Sequence, residues 1–188
     1  MFKKKVSILL FLVLLLGGCW YWISEPPSID IFVRGIYCPF CDPSVIKTQA
    51  FYEDDLILGI VPNHPVSPGH LLIVSKRHVP FFDQLTDEES EQILRLLKRI
   101  REMGKKVPYL LLQKNGMEVG QSVPHVHFHY IPRKVNDWPV FKLIFDLFIA
   151  SWKKPVSRGE LEKTAVLIKT QLNGGHYGDG NNTASRSG

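Results

Sequence analysis

No basic stripe with interleaved aromatics runs through this chain, which leaves nucleic acid outside the favoured partners. The 23 basic residues outnumber 18 acidic ones for a formal charge of +5, but three of the lysines are Lys3, Lys4 and Lys5, so the surplus is mostly a terminal feature. Cysteine is scarce: of three in 188 residues, Cys19 stands alone, so the body of the chain holds a single pair, Cys38 and Cys41. Apolar runs long enough to span a bilayer are missing beyond about the first 25 residues. Without that segment the length suits one domain with a sizeable core.

What the chain does have is three histidines at every second position, in Gly120-Gln121-Ser122-Val123-Pro124-His125-Val126-His127-Phe128-His129-Tyr130-Ile131-Pro132-Arg133. Alternation with Val126, Phe128 and Tyr130 has the period of a β-strand, so all three imidazoles should leave one face and the apolar residues the other. Such a face suits a metal bound by neutral imidazoles, a nucleophile with its supporting network, or polar groups presented to water. Upstream, Tyr109-Leu110-Leu111-Leu112 reads as a strand and Asn115 to Ser122 as a glycine-bearing loop, together predicting a hairpin. The loop would set backbone N–H groups, an Asn amide and a Ser hydroxyl beside the histidines. Phosphate chemistry asks for that combination, donors for the non-bridging oxygens and a nitrogen to attack phosphorus.

These residues resemble the histidine triad (HIT) superfamily, in bacterial members with a C-x-x-C zinc motif: His-x-His-x-His after a Gly-Gln-Ser loop. Tyr52-Glu53-Asp54-Asp55 and Pro68-Gly69-His70-Leu71-Leu72-Ile73-Val74-Ser75-Lys76-Arg77-His78 are similar to the family's first strands, and the resemblance runs from about Cys38 to Arg133. It implies an α+β fold, an antiparallel sheet carrying the triad with one long helix packed across it, and a homodimer. By resemblance, His127 would be the nucleophile that takes a nucleoside monophosphate as a covalent phosphoramidate. His129 and Ser122 would contact the phosphate and the leaving group, while Asn115, Gly120 and Gln121 shape the phosphate loop. His70 would join His125 in the network that fixes the tautomer of His127. The implied protein is a nucleotide phosphohydrolase or nucleotidyl transferase acting on a nucleotide or nucleoside phosphoramidate. The alternative is a zinc-stabilised, non-catalytic nucleotide-binding or sensing module tethered to the membrane. In one departure, Pro62 stands where relatives commonly carry an aspartate for the ribose hydroxyls, with Asn63 and His64 as substitutes.

By itself, Cys38-Pro39-Phe40-Cys41 suits a metal site, a redox pair or a disulfide. The resemblance implies zinc held by Cys38, Cys41, His78 and His125. With four protein ligands it would be structural.

Residues 1–24 read as a targeting or anchoring segment. Met1 to Lys5 is basic, Val6 to Leu16 is apolar but for Ser7, and Leu16-Gly17-Gly18-Cys19 resembles a lipobox in which Cys19 would be acylated. An uncleaved signal anchor running on through Trp20-Tyr21-Trp22-Ile23 is the rival; both put the domain on the exported side of the membrane. Residues 25–35 read as a linker, and by the resemblance 36–135 would form the HIT domain. Within it, Thr86-Asp87-Glu88-Glu89 opens a helix whose Ile93, Leu96, Leu97, Ile100 and Met103 fall at helical spacing, with Gly104 at its end. Residues 136–172 read as a helical extension past the domain, with one apolar helix from Asp137 through Lys153, docked on the domain, a dimer partner or the membrane interface. Glu160 to Leu172 forms a last helix, and 173–188 has a disordered composition.

Overall fold

The structure, a computed structural model, describes residues 37–104, 106–134, 140–150 and 153–174. The amino-terminal segment with Cys19, the linker to residue 35 and the tail from 175 lie outside the described residues. Among the described residues no helix is long and apolar enough to cross a membrane.

Asp42 opens the first helix, α1 (Pro43–Gln49), by accepting the Ser44 N–H at 2.8 Å, with proline in the first turn where its missing N–H costs nothing. Strands β1 (Ala50–Glu53) and β2 (Ile57–Ile60) follow, joined by a turn in which Asp54 Oδ1 accepts the Leu56 and Ile57 N–H groups, each at 2.8 Å. Next come β3 (Leu71–Ser75), α2 (Asp87–Met103), β4 (Tyr109–Gln113), β5 (His127–Pro132), α3 (Val140–Ile149) and α4 (Arg158–Gly174). The strands form one antiparallel sheet of five in the order β1-β2-β3-β5-β4. As expected, β4 and β5 are neighbours across the glycine-bearing loop.

Helix α2 begins as its sequence predicts. Thr86 Oγ1 accepts the Glu89 N–H at 3.2 Å and Glu89 returns a bond to the Thr86 N–H at 2.8 Å, an arrangement worth about 1 kcal/mol. Buried Glu89 also receives Arg77 through two nitrogens, at 2.7 and 3.1 Å, tying the helix start to the end of β3. The buried face of α2, Ile93, Leu96, Leu97 and Ile100, packs on one side of the sheet against Phe51, Ile57, Leu71, Ile73, Phe128 and Tyr130. Each such side chain contributes about 1.5–3 kcal/mol by leaving water.

The described residues of the carboxyl-terminal helical extension pack against the rest of the domain. Leu161, Ala165, Ile168 and Leu172 fall on one stripe of α4 and enter the same core as Phe51 and Leu97. Their spacing of four, three and four residues builds an apolar seam, which the sheet and α2 cover. Helix α3 spans Val140–Ile149, within the expected Asp137–Lys153, of which residues 137–139 and 151–152 lie outside the described ones. It docks on its own domain: Leu143 and Ala150 pack with Val66 and Ile131.

The other side of the sheet positions the site. There Leu58, Ile60, Leu72 and Val74 are buried with Phe40, and the pairing of Leu72 with His129 and Val74 with His127 turns both histidines toward the same side.

Candidate active site

Cross-strand pairing sets the two histidines into an apolar surround. His127 lies opposite Val74 of β3, and His129 lies between Leu72 of β3 and Leu112 of β4. His127 is 6% exposed. Its Nδ1 is 2.7 Å from the His125 carbonyl oxygen, so Nδ1–H donates and Nε2 keeps its lone pair. Phe40 packs on that ring with centroids 5.1 Å apart, and on the His125 ring at 5.7 Å.

His129 takes the opposite tautomer. The Val66 N–H donates to His70 Nδ1 at 3.1 Å, so His70 carries its proton on Nε2 and donates to His129 Nδ1 at 3.0 Å. That leaves His129 with its proton on Nε2. The strand face thus presents a base nitrogen from His127 and an N–H from His129, with ring centroids 5.0 Å apart. The expected partnership of His70 and His125 around His127 takes a different form. His70 acts on His129 because it immediately precedes β3, whose Leu72 pairs with His129. His125 holds His127 through its carbonyl, not its ring.

Burial is the main cause of every histidine shift in the cluster. It lowers His127, an effect the His125 carbonyl opposes and the Lys114 charge reinforces. His70 falls to about 4, through burial and then the His127 charge. His129 falls to about 3, through burial and then the charges of His127, His70 and Lys114. At neutral pH the rings are uncharged, as a nitrogen nucleophile requires.

The loop from Lys114 to Ser122 wraps the mouth of this face. Gly116 and Gly120 sit at φ +107° and +81°, which side chains rarely adopt, so the loop closes tightly. Gln121 is buried; its Oε1 accepts the Gly116 N–H at 2.7 Å and its Nε2 donates to the Pro80 carbonyl at 2.8 Å, so it braces the loop from inside. Asn115 Oδ1 accepts the Phe82 N–H at 2.9 Å and Gln113 Nε2 at 2.8 Å, tying the loop to the turn before α2. Ser122 is exposed beside the triad. Sequence reasoning passed over Lys114, whose Nζ donates to the Gly120 carbonyl at 3.1 Å, and Phe40 between the two cysteines. Strand register points to Lys114: it directly follows Gln113, which pairs with Phe128 next to His127. Where the sequence departs from the family pattern, Pro62 is buried and Asn63 exposed, while half-buried His64 has an Nδ1 without a partner among the described residues.

Behind the histidines the structure gathers Cys38, Cys41, His78 and His125, with their ligand atoms all within 4.8 Å of one another. His125 Nε2 lies 2.8 Å from the Ser75 carbonyl oxygen, so it donates there and turns a bare Nδ1 to Cys38 Sγ at 3.3 Å and Cys41 Sγ at 3.6 Å. His78 Nδ1 is 3.3 Å from Cys41 Sγ. A tetrahedral ion with bonds of about 2.0–2.3 Å spaces its nitrogen and sulfur ligands about 3.5 Å apart, so this donor set fits a metal such as zinc. The Ser75 carbonyl is an orienting partner of the kind that metal-binding histidines use.

A base nitrogen and an imidazole N–H side by side on one strand of an antiparallel sheet, braced by a glycine loop and backed by two cysteines, define an α+β protein built around a histidine triad. The HIT domain family matches residues 44–136. An uncharacterized HIT-like protein of Methanocaldococcus jannaschii is 36% identical over 110 residues, covering 56% of this chain and 85% of the relative. The chain belongs to the HIT family. The adenosine 5'-monophosphoramidase of Schizosaccharomyces pombe is 34% identical over 114 residues, covering 56% of this chain and 86% of that protein. Among solved structures, a diadenosine triphosphate hydrolase of Plasmodium falciparum superposes with a TM-score of 0.55 at 28% identity, covering 68% of this chain and 78% of that one.

Proposed function

We propose that the protein is a nucleotide phosphohydrolase or nucleotidyl transferase that works through a covalent histidine intermediate. The observation that carries this reading is the pair of opposed tautomers, His127 with a free Nε2 and His129 with an Nε2–H. His127 Nε2 attacks the phosphorus next to the nucleoside, forming a P–N bond as the bond from phosphorus to the leaving group breaks. The leaving group takes the electron pair, and the His129 N–H steadies the charge that develops on it. Water then attacks the same phosphorus, the P–N bond returns its electrons to His127, and a proton passes to solvent. The products are a nucleoside monophosphate and the free leaving group. The exposed Ser122 hydroxyl at the end of the loop would donate to the non-bridging oxygens. The family membership and the named hydrolase relatives support this reading.

Zinc in the Cys38, Cys41, His78 and His125 cluster would hold the α1 side of the site to β3 and β5, with no coordination position left for substrate. The outer edge of β4, whose Leu111 is exposed, offers a second copy a strand to pair with, in keeping with a homodimer. For residues 1–24, the basic start, the apolar run and Cys19 support tethering to a membrane with the domain on the exported side. Incubating the protein with diadenosine tetraphosphate and quenching it in base tests the mechanism. Intact mass should show one nucleotidyl adduct that His127→Ala lacks, with fold and metal content retained; an active His127→Ala enzyme refutes the assignment.

A further inference from the structure

We propose that Lys114 binds the phosphate chain of the leaving group, so that this protein prefers nucleoside polyphosphates to nucleoside phosphoramidates. The inference rests on the nucleotidyl-transfer reading above and names its substrate class.

The placement follows from strand register. Leu110, Leu112 and Gln113 pair with Ile131, His129 and Phe128, and Lys114 follows the last of these pairs, which carries it to the level of His127. Residues directly opposite one another in an antiparallel pair share a face. On that face β4 contributes Leu110 and Leu112, both apolar, and then a cation at the level of the nucleophile. The half-buried Lys114 stem lies along this row, and Nζ is held by the Gly120 carbonyl at 3.1 Å. An ammonium has three hydrogens, so two remain for a ligand. The left-handed backbone of Gly120 places its α-carbon side against that ammonium: a Cβ there would come within 3.4 Å of Nζ. Its charge also bears on both His127 and His129.

The chemistry makes this placement selective. When His127 attacks a nucleoside polyphosphate, the departing group is a phosphate chain that gains negative charge as its P–O bond breaks. A neighbouring ammonium stabilises that charge more in the transition state than in the ground state. When the substrate is a phosphoramidate, the departing nitrogen must gain a proton and leaves as a neutral amine or a cation. A fixed positive charge gives that group no advantage and repels it once protonated. Asn115, the neighbouring polar residue, is turned away with its oxygen committed to the Phe82 N–H.

The test compares the full-length protein with Lys114→Gln and Lys114→Arg, measuring kcat/KM on diadenosine tetraphosphate and on adenosine 5'-phosphoramidate. In Lys114→Gln the ratio of the first to the second should fall by about tenfold or more, the size of one charge-assisted hydrogen bond. Lys114→Arg should restore most of it. A loop-bracing role would depress both substrates alike, so an unchanged ratio in Lys114→Gln overturns the proposal. Tripolyphosphate binding by calorimetry separates the two readings. If neither substrate is turned over by the wild type, nucleotidyl transfer fails, and Lys114 stands only if tripolyphosphate binds and weakens about tenfold in Lys114→Gln. Equal affinity in both proteins rejects the anion site.

Discussion

Replacing His70 with leucine should switch the tautomer of a histidine in another strand. His70 receives the Val66 N–H at 3.1 Å and gives its own Nε2–H to His129 Nδ1 at 3.0 Å, with only 4% of its surface exposed. Leucine fills the space and removes both bonds. Two buried polar groups lose their partners at about 1–3 kcal/mol each, so the loss of stability is about 2–6 kcal/mol. That is a large part of the 5–15 kcal/mol typical of a domain, so the measurements belong at low temperature. The hydrogen bond that holds His129 as its Nε2–H form has a net value of about 1 kcal/mol, and its loss lets a large minority of the rings turn their bare nitrogen to the substrate. With the donor missing from those molecules and its orientation lost in the rest, kcat/KM should fall by about tenfold or more. Glutamine in place of His70 can still donate to His129 Nδ1, so His70→Gln should recover part of the activity. Nitrogen-15 NMR of the imidazoles reads the tautomer directly. A His70→Leu protein that keeps His129 in the Nε2–H form and turns over at the wild-type rate refutes the relay from Val66 through His70 to His129.

Two further outcomes follow from the site's burial and its metal cluster. His70 and His129 stay neutral in the folded protein down to about 4 and about 3, whereas unfolded histidines titrate near 6.5. Above pH 6.5 neither state binds these protons. Below it the unfolded chain takes up protons the folded rings refuse, so stability falls by up to about 1.4 kcal/mol per pH unit per histidine. Urea midpoints measured between pH 7 and 5 should decline accordingly, and a flat profile argues against a neutral buried pair. For the metal cluster, Phe40→Leu should cost about 1 kcal/mol of stability and leave metal content unchanged, yet lower kcat, because Phe40 braces the His127 ring from between Cys38 and Cys41. Chelation should lower both the Tm and kcat, and full activity in the chelated protein or in Phe40→Leu would break the link between the cluster and the nucleophile.

Local patterns carried much of this protein into view. The period-two histidines read as one strand face because side chains alternate on a strand whatever lies around it. The Thr86 to Glu89 box and the spacing from Ile93 to Ile100 located α2 because capping and helical periodicity are short-range. Cys38 and Cys41 announced a pair three residues apart. Patterning was less informative past Arg133, where α4 reads as an appendage until the sheet and α2 are there to receive its apolar seam.

Only the assembled sheet decided what the histidines do for one another. Tautomers depend on which carbonyl or N–H lies within about 3 Å of each ring nitrogen; the His125 carbonyl is local to His127, but Ser75 for His125 and His70 for His129 come from distant parts of the chain. The same holds for Lys114. Its chemistry was present in the sequence, but the register of β4 against β5 is what brings an ordinary loop lysine alongside His127. A sequence states which groups a chain owns and their local spacing; long-range pairing settles their distances, and at a site made of hydrogen bonds and single charges, distance determines the role.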